Sequence, residues 1–232
     1  MDLAVILAGA GEGRRMEGQG PKLLLDLEGK SFLQRAALPF LRHRSVGEIV
    51  AVVPEALVGP AREALARVPR ERVLGARAVA GGATRRESVR LGLEAIAPGA
   101  AYVAVHDVAR PLVTTALIDR VLAAARTHGA AIPALPIRDS VKEVDAERII
   151  RSLPRERLRG AQTPQIFSRA ILLRAHTQAG ESPDATDDAA LVEALGFAVF
   201  VVAGESSNLK ITEPSDLIVA RALIQSGLGG EN

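Results

Sequence analysis

The chain of 232 residues has no cysteine and no tryptophan, and only 3% of its residues are aromatic. Without cysteine it can form neither a disulfide nor a thiolate metal site. We find no run of 18 or more apolar residues and no basic-then-apolar leader, so we expect a soluble cytoplasmic protein without a membrane partner. The net charge of +2 is too small to indicate nucleic-acid binding by itself.

Lysine is scarce as well, since four of the 29 basic residues are lysines. Arginine therefore serves almost everywhere as the surface cation. A lysine at Lys22 and at Lys210 indicates positions where a compact ammonium charge matters. Chance remains the alternative for either residue alone.

What is present is typical of a globular α/β protein, with 48% apolar and 24% charged residues. Apolar strand patterns alternate with helical patterns, which predicts a Rossmann-like, mainly parallel sheet with helices on both faces. We expect a single domain over residues 1–232. After the first strand, the predicted strands are 48–53, 77–80, 101–105, 130–135 and 197–202. The predicted helices are 56–68, 85–96 (with Thr84 as its cap), 115–128 and 214–225.

Residues 138–160 interrupt this alternation. They are rich in charge and are typical of two short strands, 140–144 and 148–153, with a turn near Asp145 and Ala146. We predict a β-hairpin arm that projects from the domain. Because an isolated two-stranded hairpin is marginally stable in water, the arm needs a partner, most simply the same arm of a second subunit. A hairpin folded back on its own domain is the alternative.

The most informative stretch follows the apolar run 3–7, which is typical of a buried first strand. Glycines alternate over residues 9–13, so the backbone can approach a ligand and turn its N–H groups toward it. Two arginines and a lysine follow: Arg14, Arg15 and Lys22. The stretch lacks the Gly-Lys-Ser/Thr of a Walker loop and has Arg14 where the dinucleotide fingerprint needs its last glycine. It suits a nucleoside triphosphate; for the glycines alone, a flexible turn is the alternative.

Further polar clusters follow other predicted strands: 81–85 with Ser88 one helical turn on, 106–111 and 208–212. In an open α/β sheet, ligands bind beyond the carboxyl ends of the strands. Asp107 comes directly after a buried strand, where a carboxylate needs a partner. That partner is Mg²⁺, a sugar hydroxyl or, as a structural alternative, Arg110. We interpret His106 first as a hydrogen-bonded structural residue.

Together these motifs resemble the sugar-phosphate nucleotidyltransferases and, within them, the 2-C-methyl-D-erythritol 4-phosphate cytidylyltransferase family. The glycine loop with Pro21-Lys22 identifies only the broad group, whereas the joint occurrence of 106–111, Gln162-Thr163-Pro164-Gln165 and 208–214 is specific. The resemblance extends from residue 3 to about residue 224, arm included. It implies transfer of CMP from CTP to methylerythritol phosphate, with Mg²⁺ on the triphosphate and a homodimer joined through the arm.

The resemblance also implies a role for each site residue. Those that would bind the nucleotide are Gly9, Ala10, Gly11, Gly13, Gly82, Ser88, Asp107 and Val108. Those that would surround the α-phosphate and carry catalysis are Arg15, Lys22 and Lys210. Those that would bind the acceptor are Asp107, Arg110, Thr186 and, from the partner subunit's arm, Ser140 and Arg155. Beyond Mg²⁺ held mainly by triphosphate oxygens, the metal ligands are unknown.

Three positions depart from the family pattern: Ala83 stands where aspartate is frequent, Val108 where alanine is usual and Ser140 where threonine is common.

Two other functions remain open. One is a related enzyme for another polyol phosphate, such as ribitol 5-phosphate. The other is a non-enzymatic nucleotide sensor on the same fold, which is expected to lack Lys22 or Lys210.

Overall fold

The computed structural model describes residues 2–11, 20–69, 73, 75–178 and 186–230. Its strands are β1 (Leu3–Ala8), β2 (Asp26–Leu27), β3 (Lys30–Ser31), β4 (Val46–Val53), β5 (Gly75–Ala80), β6 (Tyr102–Asp107), β7 (Ala130–Pro136), β8 (Val141–Asp145), β9 (Arg148–Leu153), β10 (Arg159–Ala161), β11 (Gln165–Ser168) and β12 (Phe200–Ala203). Its α-helices are α1 (Phe32–Arg42), α2 (Val58–Ala66), α3 (Arg85–Ala95), α4 (Thr115–His128), α5 (Arg169–Gln178), α6 (Asp188–Ala194) and α7 (Pro214–Gln225).

The central sheet has eight strands in the order β10-β7-β11-β6-β1-β4-β5, and β12 also pairs with β7. Strand β1 is parallel to β4 and β6, β5 is parallel to β4, and β12 is parallel to β7. Strands β10 and β11 run antiparallel to their neighbours. The predicted mainly parallel sheet is therefore confirmed.

Two apolar clusters cover the two faces of this sheet. Alternate side chains of β1 point to opposite faces, so Val5 and Leu7 belong to one cluster, whereas Ala4 and Ile6 belong to the other. Helices α1, α2, α4 and α7 pack on the first face, and α3, α5 and α6 pack on the second. Because β1 is buried on both faces, its sequence is an unbroken apolar run. This core fixes the strand ends that carry the polar clusters.

Local signals set the ends of several helices. The Thr84 hydroxyl accepts a hydrogen bond from the Glu87 amide (3.0 Å), which confirms the predicted cap of α3. Helix α4 ends at His128 and is followed by Gly129, whose φ of 86° favours glycine. Helix α7 begins at Pro214, a residue pre-organised for a first helical turn. Both α4 and α7 have the predicted bounds.

Among the described strands, β8 and β9 pair only with each other and form a separate antiparallel sheet. The predicted hairpin is thus confirmed, and it does not extend the main sheet. Its turn includes Ala146, which has a φ of 51°. Three large apolar side chains of the hairpin are more than half exposed: Val144, Ile149 and Ile150. In the described ranges, no helix has the length and apolar character needed to cross a membrane.

Candidate active site

The loops after β1 and β6 lie side by side at the carboxyl ends of the central strands. The Gly9 amide donates to the Val52 carbonyl (2.8 Å), and the Val108 amide donates to the Ala8 carbonyl (3.1 Å). A Cβ atom on Gly9 would lie 3.2 Å from Val108 Cγ2. The valine that departs from the family pattern thus packs directly against the glycine loop.

The loop after β5 joins the same group through a close backbone approach. A Cβ atom on Gly81 would lie 2.6 Å from the Ala10 Cβ and 2.8 Å from the Ser88 Oγ, so only glycine fits without a shift. The buried Ser88 hydroxyl accepts from the Gly82 amide (3.1 Å) and donates to the Thr84 carbonyl (2.8 Å). The structure therefore brings Ala10, Gly82 and Ser88 together.

Asp107 ends β6 between two cations. Its Oδ2 atom lies 3.0 Å from Lys210 Nζ, and its Oδ1 atom lies 3.6 Å from Arg85 Nε. Burial disfavours the charged carboxylate, but Arg85 and Lys210 outweigh that effect and hold the pKa of Asp107 below its ordinary value. Asp107 is therefore ionised, and it places a fixed negative charge beside one of the rare lysines.

The alternative pairing of Asp107 with Arg110 is wrong. The Arg110 guanidinium instead donates to the carbonyl oxygens of Asn208 (2.9 Å) and Ala161 (3.3 Å). Arg110 thus braces the loop 208–212, and among the described residues it forms no direct ion pair with the strand-end carboxylate, which it attracts from a greater distance. Arg85 forms that ion pair, although the sequence analysis placed it in a polar cluster without assigning it a function.

His106 is fully buried and hydrogen-bonded at both ring nitrogens. Its Nε2 atom lies 3.0 Å from the Arg110 carbonyl oxygen, and its Nδ1 atom lies 2.9 Å from the Thr163 hydroxyl. Burial is the main cause that lowers the pKa of His106 to about 4. The imidazole is therefore neutral near pH 7, which agrees with the interpretation of His106 as a structural residue.

This pKa predicts an acid-sensitive contribution to stability. Because the folded pKa of about 4 lies below the ordinary 6.5, the unfolded chain binds more protons in that interval. Stability is therefore lost as pH falls from 6.5 toward 4, by about 3 kcal/mol for this group. Denaturant unfolding at several pH values in this interval measures the loss. The His106→Asn variant should show a smaller pH slope; equal slopes would contradict the assignment.

The motif Gln162-Thr163 supports the loop that carries Lys210. The Gln162 amide group donates to the Glu205 carbonyl (2.9 Å) and accepts from the Glu205 amide (3.1 Å). The Asn208 side chain donates to the Thr163 carbonyl (2.8 Å). These contacts, which are buried or partly buried, show how residues 162–163 hold the loop 208–212 in place beside Asp107.

Lys22 contacts the same loop. It begins a short 3₁₀ helix, and its ammonium group donates to the Ile211 carbonyl. The adjacent Thr212 amide donates to the Asp216 carboxylate (2.6 Å) at the start of α7. The structure thus brings Lys22 and Lys210 to one loop, although they are far apart in the chain.

The remaining predicted residues are distributed as follows. Arg15 and Gly13 lie outside the described residues. Gly11 is exposed, and a Cβ atom there would meet nothing within 4 Å. Thr186 is exposed and directly precedes Asp187, which caps α6. The arm residues are Ser140, which is exposed, and Arg155, which donates to the Arg138 carbonyl. Within the described ranges, no hydrogen bond or ion pair joins either arm residue to Asp107 or Lys210.

A mainly parallel sheet with Gly9 and the fixed carboxylate of Asp107 at its strand ends, and two lysines at one neighbouring loop, has the groups that a nucleotidyltransferase requires. The model of the 2-C-methyl-D-erythritol 4-phosphate cytidylyltransferase (IspD) family matches residues 3–226. The chain belongs to this family. Curated relatives with that name include one from Frankia casuarinae, 43% identical over 96% of this chain and 81% of its own length. Another, from Thermus thermophilus, is 41% identical over 96% and 97%.

Solved structures agree with this assignment. The crystal structure of 2-C-methyl-D-erythritol 4-phosphate cytidylyltransferase from Thermus thermophilus matches with a TM-score of 0.77 at 38% identity, covering 97% of this chain and 100% of that one. The 4-diphosphocytidyl-2C-methyl-D-erythritol synthase from Anaerococcus prevotii matches with a TM-score of 0.83 at 28% identity, covering 96% and 98%. The resemblance seen in the sequence is confirmed over nearly the whole chain.

Proposed function

We propose that this chain transfers CMP from CTP to 2-C-methyl-D-erythritol 4-phosphate. The products are 4-diphosphocytidyl-2-C-methyl-D-erythritol and pyrophosphate, in the non-mevalonate route to isoprenoid precursors. The proposal is carried by one observation: Lys22 and Asp107 both lie at the loop that contains Lys210. The family match over residues 3–226 supports it.

The proposed reaction needs no nucleophile from the protein. A phosphate oxygen of the acceptor attacks the α-phosphorus of CTP and forms the new P–O bond. The bond from the α-phosphorus to the bridging oxygen of the β-phosphate breaks, and pyrophosphate leaves with that electron pair. Because both reactants are polyanions, the enzyme must position them and neutralise charge. We assign charge stabilisation at the α-phosphate to Lys22, Lys210 and Arg15.

We propose that the nucleotide binds across the loops after β1 and β5. The segment 9–13 would hold the triphosphate through its backbone amides, while Gly82 and Ser88 would read the cytosine edge. The close packing of Ala10, Gly81 and Ser88 supports a preformed pocket there. The Ala83 amide is already bonded to the Glu87 carboxylate (2.8 Å), so a side chain at residue 83 is not needed to order this turn.

This pocket predicts a strong preference for CTP over UTP. Uracil carries an acceptor oxygen where cytosine carries an amino donor, so a pocket carbonyl such as that of Gly82 would lose its partner on the base, which costs about 1–3 kcal/mol for each group left unpaired. Steady-state kinetics with both nucleotides and the same acceptor measure the ratio of kcat/KM values. Comparable values for CTP and UTP would reject this assignment of the base pocket.

We further propose that Mg²⁺ accompanies CTP. Within the described ranges, no group of three or more His, Cys, Asp or Glu residues could form a metal cage. Asp107 is nevertheless an ionised carboxylate at the strand ends, and Mg²⁺ commonly uses one or two carboxylates together with substrate phosphates. The residues therefore fit an ion held mainly by triphosphate oxygens beside Asp107. When bound, such an ion neutralises phosphate charge.

The working unit is proposed to be a homodimer joined through the arm, residues 138–160. The separate hairpin with exposed Val144, Ile149 and Ile150 supports this proposal, because a lone two-stranded sheet needs cover. Ser140 and Arg155 would then enter the partner's site and contact the acceptor, next to Asp107, Arg110 and Thr186. The cytoplasmic location stays a prediction of the sequence.

Pyrophosphate release is the test of the proposed activity. With CTP and methylerythritol phosphate, we expect steady turnover that depends on both substrates. Faster turnover with ribitol 5-phosphate would identify a cytidylyltransferase for another acceptor. Binding of CTP without turnover of any polyol phosphate would identify a nucleotide sensor and contradict the proposal.

A further inference from the structure

Arg85 joins two carboxylates from opposite parts of the fold. It is the first residue of α3, and its Nε atom lies 3.6 Å from Asp107 at the end of β6. Its NH1 atom lies 2.8 Å from Asp188 Oδ2 at the start of α6. Burial lowers the pKa of Arg85, but Asp188 and Asp107 outweigh it, so the pKa is raised. One guanidinium thus ties the strand end to the segment that follows Thr186.

The Asp188 carboxylate anchors Arg85 firmly. The Asp188 side chain is fully buried, and its other oxygen lies 3.0 Å from His176 Nε2. A buried carboxylate that loses a cationic partner carries a large desolvation penalty. Arg85 is therefore held by a contact that is costly to break.

Lys210 is held much less firmly. Its side chain is 48% exposed, against 33% for Arg85, and Asp107 is its only carboxylate partner in the described ranges. Because its side chain is about half exposed, the Lys210 ammonium can turn from Asp107 toward a phosphate without being desolvated, while Arg85 stays beside the buried carboxylate. The two cations on Asp107 thus differ: one is anchored at its far end, and the other is available to a ligand.

We infer that Arg85 is a positioning residue that keeps Asp107 neutralised, so that Lys210 is available to substrate phosphate. This inference rests on the proposed function. Without Arg85, the ammonium of Lys210 would be the remaining side-chain cation paired with Asp107 among the described residues, and the two would pair more tightly. Lys210 would then be drawn from the α-phosphate toward the carboxylate, with loss of charge stabilisation in the transition state.

The test is Arg85→Gln, assayed as turnover per folded molecule with CTP and methylerythritol phosphate. We expect kcat to fall by about 10²-fold, the cost of displacing a group that stabilises the transition state. The KM for CTP should change far less, because the rest of the nucleotide pocket stays in place. Arg85→Lys keeps a charge beside Asp107 and should recover part of kcat. A purely structural role would lower the folded fraction without changing kcat per folded molecule.

Two further variants keep the inference falsifiable if Arg85→Gln folds poorly. Asp188→Asn removes the buried charge, so the double variant Arg85→Gln/Asp188→Asn should fold better yet retain the kcat defect. Asp188→Asn alone should keep near-normal kcat, since Arg85 remains beside Asp107. Arg86→Gln is the matched control on the same helix and should behave as the unmodified chain does. An inactive unmodified chain would refute the proposed function; an active chain with normal kcat in the double variant would overturn the role of Arg85.

Discussion

Replacing Lys22 or Lys210 by alanine is expected to lower turnover by about 10²-fold or more while the chain still folds. Both ammonium groups lie at the loop 208–212, one donating to the Ile211 carbonyl and the other paired with Asp107. In the proposed reaction, negative charge would accumulate there as the acceptor phosphate approaches the α-phosphate. Removing one preorganised cation therefore raises the barrier far more than it weakens ground-state binding.

Lys30 provides a matched control for these two variants. Lys30, in the short hairpin before α1, has no predicted role, so Lys30→Ala should keep normal turnover. Single-turnover and steady-state rates with saturating CTP and methylerythritol phosphate measure the effect, and circular dichroism checks the fold. Near-normal rates for both Lys22→Ala and Lys210→Ala would exclude charge stabilisation by these lysines.

The strand-end geometry was predictable because it follows from periodicity and topology. Parallel strands bring their carboxyl ends to one edge, so clusters far apart in sequence must meet there. Helix α4 was predictable in its bounds because it begins after Thr114, whose hydroxyl accepts from the Leu117 amide (3.1 Å), and ends before Gly129. The hairpin β8–β9 also agrees with its predicted strands to within one residue.

Helix α1 was missed because its sequence departs from the usual pattern of an amphipathic helix. Pro39 lies inside the helix, and the charged Arg35 lies on its buried side. The Arg35 guanidinium donates to the carbonyl oxygens of Leu27 (2.5 Å) and Glu28 (2.7 Å). These tertiary hydrogen bonds allow the buried charge, and no local sequence pattern indicates them. Helices α5 and α6 and strands β10 and β11 were missed too; β11, with four residues, is too short for a period to be recognised.

The partners of charged groups were the least predictable part of the site. Asp107 and Arg110 are close in sequence, yet Asp107 pairs with Arg85 and Lys210. The choice depends on how α3 and the loop 208–212 pack against the end of β6. Sequence spacing carries no information on that packing, so only the three-dimensional structure identifies Arg85.

The arm leads to the second large expected effect: Arg155→Ala should inactivate the neighbouring subunit's site rather than its own. Within the described ranges, no hydrogen bond or ion pair joins Arg155 to Asp107 or Lys210, and its side chain is 51% exposed. A guanidinium suits bidentate binding of the acceptor phosphate. Because a C₂ dimer exchanges arms reciprocally, each site would combine Lys22 of one chain with Arg155 of the other.

Mixed dimers test this exchange. Subunits with Lys22→Ala and subunits with Arg155→Ala should each be nearly inactive alone. After mixing, a heterodimer has one site with both lesions and one site with neither, so activity should partly return. Arg157→Ala, in the same short 3₁₀ helix as Arg155, is the matched control and should be active by itself. Sedimentation as an active monomer, or no recovery despite proven subunit exchange, would show that the arm does not complete a neighbour's site.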